Sequence, residues 1–297
     1  MRLDNEKESS YVEDRRDRGI SGGGFGGFIS GAGNIGRLIM LWPIIKPLLR
    51  TKFGWIIIAI GALLYFGNPL GFFSGDVKSG GAKASDEQKV FISKVLKTTE
   101  DVWERLLPKY GIRYKKPYLV LFRGQTTSGC GFASAQTGPF YCPADQKIYL
   151  DLSFFDELER EFGAKGDFAK AYVLAHEVGH HIQNLMGILD KIHYLQEQAL
   201  RRGNKTQANH LQIPVELQAD CLAGVWSHYV KKYLEPGDIE EAMNAAAQIG
   251  DDMIQKRSQG YVVPDSFTHG TSKQRVYWFL RGYKSGDIRS CDTFKEL

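Results

Sequence analysis

A chain of 297 residues with a net charge of +4 has room for one or two domains and is too weakly basic to read as a nucleic-acid binder. Its 43% apolar and 12% aromatic residues are the balance of a globular protein with a sizeable core. The four cysteines, Cys130, Cys142, Cys221 and Cys291, contain no Cys-x-x-Cys pair, which disfavours a structural zinc finger and leaves disulfides to the compartment.

Residues 1–20 are polar, with Arg15, Arg16 and Arg18 interleaved with Glu13, Asp14 and Asp17, and read as a solvated tail. Ser21 to Gly36 is glycine-rich and contains a formal Gly-x-Gly-x-x-Gly at Gly31, Gly33 and Gly36. No strand precedes it, so it reads as a flexible linker and not as a dinucleotide site. Ile35 to Leu49 is apolar but broken by Arg37, Pro43, Lys46 and Pro47, a composition suited to lying along a membrane surface.

From Phe53 to Phe73 there is no charged residue. About 20 such residues cross a hydrocarbon layer, so the stretch predicts one transmembrane helix. Lys46, Arg50 and Lys52 precede it, and only Asp76 and Lys78 follow closely. The positive-inside rule then puts residues 1–52 in the cytoplasm and the bulk of the chain outside, with 53–73 an uncleaved signal anchor in the plasma membrane. Outside the cytoplasm, disulfides persist. Residues 74–85, rich in Gly, Ser, Ala and Lys, read as a linker to a domain over 86–297.

Within that domain, Asp86 to Leu107 has helical spacing and Pro108 stops it. Pro117 to Phe122 and Lys147 to Leu152 read as strands. Between them lies a loop-like stretch bracketed by Cys130 and Cys142, which a disulfide would restrict. A helix begins at Ser153 and runs through Phe162; Asp167 is placed to cap the next, which Gly187 ends. Leu189 to His210 is polar and helical with a turn near Arg201–Lys205, and His193 and His210 on it read as exposed. Pro214 suits the first turn of a further helix, and two more follow over Ile239–Ser258 and Ser272–Tyr283.

The Asp167 helix carries His176-Glu177-Val178-Gly179-His180. Residues four apart share a helix face, so His176 and His180 can hold one zinc ion, with Glu177 near enough to act as a general base on a water. A catalytic zinc normally takes three protein ligands and keeps one position open. His181, His193, His210, His228, His269 and the carboxylates are candidates for the third. His181 adjoins His180 and points elsewhere, and Met186 stands where a metzincin would have histidine. Glu216, in Glu216-x-x-x-Asp220 on a mostly apolar helix, is the better choice, with Asp220 one turn on and able to orient a ligand histidine.

This pairing of His-Glu-x-x-His with a downstream Glu-x-x-x-Asp resembles the gluzincin metallopeptidases. A closer resemblance is to the neutral zinc metallopeptidase family of bacterial single-pass membrane proteins. It runs through the Arg/Gly-rich N-terminus, the single span, Gly138-Pro139-Phe140-Tyr141-Cys142-Pro143, Ala175–His181, Glu216–Cys221 and Phe267-Thr268-His269-Gly270-Thr271-Ser272. The resemblance implies an α+β, zincin-like fold: a mostly helical metallopeptidase domain with a small sheet, preceded by one transmembrane helix. It implies one Zn²⁺ per chain and zinc peptidase activity on a peptide or protein substrate at a bacterial inner membrane. The alternatives are a non-catalytic zinc-stabilised interaction module and a zinc amidase acting on a cell-wall component.

Thr268-His269 is similar to a Thr-His element of related gluzincins, where such a group stabilises an oxyanion, so His269 is a further catalytic candidate with Arg275 and Tyr261 behind it. Four cysteines allow three connectivities. If Cys130 pairs with Cys142, a Cys221–Cys291 bridge would tie the C-terminal tail to the ligand helix.

Overall fold

A four-stranded sheet begins with residues expected to be a solvated tail. In the computed structural model, which describes residues 1–17 and 80–295, Val12–Asp14 (β1) runs parallel to Tyr118–Phe122 (β2). Tyr11 and Val12 supply apolar surface, and Met1 and Leu3 are buried. Charges on and beside β1 are paired: Glu13 Oε2 lies 3.0 Å from Lys147 Nζ, and Arg16 Nη2 lies 2.9 Å from Asp86 Oδ1. Hydrogen bonds from Arg15 and Lys147, opposed by burial, hold Glu13 at about 2. A count of charges did not register this complementarity. The arm and residues 84–297 belong to one compact unit; a second unit spans 20–83.

The expected span at 53–73, the glycine-rich stretch 21–36 and the surface segment 35–49 lie outside the described residues. Among the described residues no helix is long and apolar enough to cross a membrane. The expected linker is helical from its sixth-last residue: helix α1 covers Gly80–Leu106 and buries Ile92, Val95, Leu96, Val102, Trp103 and Leu106 at three- and four-residue spacing.

β2 pairs in parallel with Lys147–Asp151 (β6), in the register Leu119↔Ile148 and Leu121↔Leu150. Between them, Gln125–Ser128 (β3) and Gly131–Ser134 (β4) form a separate antiparallel pair, and Phe140–Cys142 (β5) returns antiparallel to β6. The order is β1-β2-β6-β5, so β5 is an edge. β2 and β6 are nearly continuous apolar runs, as strands covered on both faces must be.

The helices follow: Ser153–Arg160 (α2), Asp167–Leu185 (α3), Ile188–Arg201 (α4), Lys205–Tyr229 (α5), Asp238–Gln248 (α6), Asp251–Gln259 (α7) and Ser272–Ser285 (α8). α2 ends two residues before Phe162. α5 starts nine residues ahead of Pro214, because the Asn204 side chain accepts from the Gln207 N–H at 2.9 Å and caps it there. Pro214 is therefore inside the helix and not in its first turn. The single helix expected over 239–258 is broken at Ile249–Gly250, where an added Cβ on Gly250 would lie 2.4 Å from the Ser272 nitrogen. Asp167 does not cap α3; Glu241 of α6 reaches across and accepts from the Phe168 N–H at 3.0 Å.

α3 is buried along almost all of its length and packs between the sheet, α5 and α6. Phe168 stacks on Trp226 at 5.7 Å, and Tyr172 meets Phe279 edge-on at 5.5 Å. Three glycines set how closely the helices approach. A Cβ on Gly179 would be 3.0 Å from the Ala219 backbone, so α3 and α5 touch between the two motif segments. Cβ atoms on Gly224 and Gly282 would fall 2.0 Å from Phe279 O and 1.9 Å from Cys221 O, so α5 and α8 cross backbone to backbone. Disulfides join Cys130 to Cys142 and Cys221 to Cys291.

Candidate metal centre

Helical spacing puts His176 and His180 one turn apart on α3, and the close α3–α5 approach at Gly179 brings Glu216 opposite them. Glu216 Oε2 lies 3.2 Å from His176 Nε2 and 3.5 Å from His180 Nε2. The three ligand atoms fall within 4.8 Å of one another. Two imidazoles and a carboxylate converging on one point is the donor set of a catalytic zinc with a position to spare.

Each of these atoms is aimed by a second partner. His176 Nδ1 donates to Asp220 Oδ1 at 2.8 Å, which fixes the tautomer and leaves the Nε2 lone pair for a metal. Asp220 is fully buried and also accepts from the Tyr172 hydroxyl, from Arg275 Nε at 2.8 Å and from Arg275 Nη2 at 2.9 Å. His180 Nδ1 donates to Gln183 Oε1 at 2.9 Å; the Gln183 amide group is oriented by its own donation to Val215 O at 2.7 Å. Gln212 Nε2 holds the other Glu216 oxygen at 2.8 Å.

The electrostatics follow from burial and neighbours. Burial favours neutral His176, but the Asp220 and Glu216 carboxylates prevail and raise it to about 9. Burial alone would raise Glu216, yet His180, His176 and His269 hold it well below the usual carboxylate range. Asp220, despite its burial, is kept at about 2 by Arg275 and His176. Glu177 goes the other way: burial raises it, and the facing His180 and His176 only partly offset that.

The cluster forms one wall of a cleft of about 710 Å³. Phe154, Phe162, Val173, Leu189, Ile192, Ile249 and Ile254 give it apolar walls, and residues 135–141, including part of β5, form a rim. Glu177 and His269 also line it. His269 sits on the turn before α8, where Asp251 organises the loop. One carboxylate oxygen accepts from the backbone N–H groups of Thr268, His269 and Gly270 at 2.7, 2.6 and 3.2 Å, and the other accepts from His269 Nδ1 at 3.0 Å. Burial lowers and Asp251 raises the affinity of His269 for its proton, with a net rise.

The expected His176, Glu177, His180, Glu216, Asp220 and His269 thus meet at one cleft. Tyr261 does not join them; it is 62% exposed and lines no part of it. Arg275 lines the back of the cleft and acts through Asp220, to which its Nε and Nη2 both donate. His193 stands on the cleft rim, beside Glu197 at 3.3 Å. His181 is buried, its Nδ1 3.1 Å from the Tyr141 hydroxyl, and burial pushes it down to about 4. His228 is engaged with Tyr283 O, and His210 is exposed. β6 offers no free edge to an extended substrate, because β2 and β5 occupy both of its sides. Sequence reading missed Gln183, Gln212, Tyr172 and Asp251. The first three lie three or four residues from a ligand or motif residue and were findable; Asp251 is 18 residues from His269 and carries no local signal.

The family described as "Putative neutral zinc metallopeptidase" matches residues 1–294. The chain is 45% identical to the protein YpfJ of Escherichia coli K12 over 99% of each chain. It is also 45% identical to the proteins Rv2575 of Mycobacterium tuberculosis and Mb2605 of Mycobacterium bovis, over 66% of this chain and 67% of theirs. All three carry the description uncharacterized. No solved structure matches the chain. With the match spanning almost its full length, the chain belongs to this zinc metallopeptidase family.

Proposed function

We propose that the protein is a zinc-dependent peptidase of zincin-like architecture, with Glu177 as general base. The observation that carries this reading is the convergence of His176, His180 and Glu216 on one point of a substrate-sized cleft that also exposes Glu177 and the Asp251-held His269. A zinc ion bound by the three ligands supplies Lewis acidity and lowers the pKa of a water toward ~7. The Glu177 carboxylate takes a proton from the attacking water and passes it to the leaving amine, a role served by its raised proton affinity. His269 Nδ1 is committed to Asp251, which leaves Nε2 as the donor to the carbonyl oxygen as charge develops there.

The substrate partner in this reading is an extended peptide. β5 is an edge strand of the sheet, and Phe140 and Tyr141 line the cleft, so a main chain laid along β5 would gain strand-like hydrogen bonds while its side chains enter the apolar walls.

Glu177→Gln tests the mechanism. Zinc content by elemental analysis should stay at one per chain, and cleavage of unfolded proteins and peptides should disappear. A variant that cleaves as fast as the parent would sink the mechanism. A parent that binds zinc yet turns over no peptide or muropeptide would point to an interaction module, and cleavage of muropeptides alone to a cell-wall amidase.

A further inference from the structure

By the positive-inside rule, the charges around residues 53–73 predict residues 1–52 and the following domain on opposite faces of a membrane. The sheet does not fit that arrangement. β1 is joined to β2 in the register Val12↔Leu119, Glu13↔Val120 and Asp14↔Leu121. The Leu119 N–H donates to Tyr11 O at 2.8 Å and the Arg15 N–H to Leu121 O at 2.7 Å. Side chains extend the contact along the whole arm: Ser9 donates to buried Glu100, Lys147 pairs with Glu13, and Leu3 is buried. A strand in hydrogen-bond contact with its neighbour cannot lie across a hydrocarbon layer about 30 Å thick.

A second observation concerns the two ends of the intervening sequence. Arg16 Nη2 is 2.9 Å from Asp86 Oδ1, and Asp14 Oδ2 is 3.0 Å from Lys89 Nζ. The chain therefore leaves the domain and returns to it at one place. A single crossing would set those ends apart by the thickness of the bilayer.

We infer that residues 1–17 and the metallopeptidase domain lie on the same side of the membrane, so that the chain between them crosses it an even number of times. All four cysteines are paired, in bonds that persist outside the cytoplasm, so the shared side is the outer one. The arm is then the first strand of an extracytoplasmic domain and not a cytoplasmic tail.

Cysteine labelling of the full-length chain in bacterial spheroplasts tests this. No free cysteine competes with introduced ones. Glu8→Cys on the arm and Arg160→Cys on α2 replace exposed residues that do not line the cleft. A membrane-impermeant maleimide should label both in intact spheroplasts, in a ratio near one, with little gained on permeabilisation. Labelling of Arg160→Cys before permeabilisation and of Glu8→Cys only after it would overturn the shared side. Labelling of both only after permeabilisation would overturn the outward assignment. A second pair, Arg16→Cys with Asp86→Cys, should be bridged within one chain by a short bis-maleimide spacer that replaces the span of the ion pair; no bridge with any spacer length would overturn the pairing itself.

Discussion

His269 holds two jobs on its two nitrogens, and the difference sets a pH dependence. Nδ1 donates to Asp251, and to donate from Nε2 as well the ring must be protonated. Protonation falls as pH rises through the His269 pKa, so kcat/KM should decline on the alkaline side with a midpoint above the ordinary histidine value of 6.5. Asp251→Asn removes the charge that raises that pKa, and the alkaline limb should move to lower pH, which a pH–rate profile on a peptide substrate reads directly. His269→Phe should abolish that limb and lower kcat about 100-fold, the ~3 kcal/mol of one oxyanion donor. An unchanged profile in Asp251→Asn would remove His269 from the chemistry. At this scale much was legible in the sequence, because helical periodicity turns four-residue spacing into a shared face for His176 and His180 and for Glu216 and Asp220. Asp251 was not, since its link to His269 depends on how α7 and the turn before α8 fold together.

Elements position these groups by close approach. α5 bears Glu216 and Asp220, and α8 bears Arg275; their crossing is made by Gly224 and Gly282, each facing the other helix's backbone. Gly282→Ala would place a methyl carbon 1.9 Å from Cys221 O, a contact only helix separation relieves. The expected loss is roughly 1–3 kcal/mol or more of stability, read by denaturant unfolding, with a drop in zinc affinity as Arg275 withdraws from Asp220. A Gly282→Ala variant with parental stability would mean that the crossing tolerates a methyl group. The sequence shows these residues only as glycines inside helical patterns. It does not say which neighbour demands them, and the same blindness hid the break at Gly250, which faces Ser272 from a distant part of the chain. Strands β2 and β6 were visible as apolar runs. β1 was not, because a short polar strand is defined by its partners and not by its own composition.

At the scale of the whole molecule, a buried bond ties the C-terminal tail to the core. Cys221 and Cys291 close a loop of sequence separation 70, for which chain entropy gives roughly 4 kcal/mol. Cys291→Ser with Cys221→Ser should lower the melting temperature markedly, and loosen the tail whose Cys291 carbonyl accepts from Gln218 at 2.9 Å. A melting temperature equal to that of the parent would contradict this bracing role. Arg275 provides the tie at the centre. Its Nε and Nη2 serve Asp220, behind His176, while Nη1 donates at 3.0 Å to the carbonyl of Ile249, two residues before Asp251. The ligand side and the His269 side of the cleft therefore share one guanidinium. Their substitutions should show epistasis: in double-mutant cycles, changes at Asp220 and Asp251 should be non-additive by more than ~0.5 kcal/mol, and replacing Arg275 should return them to additivity.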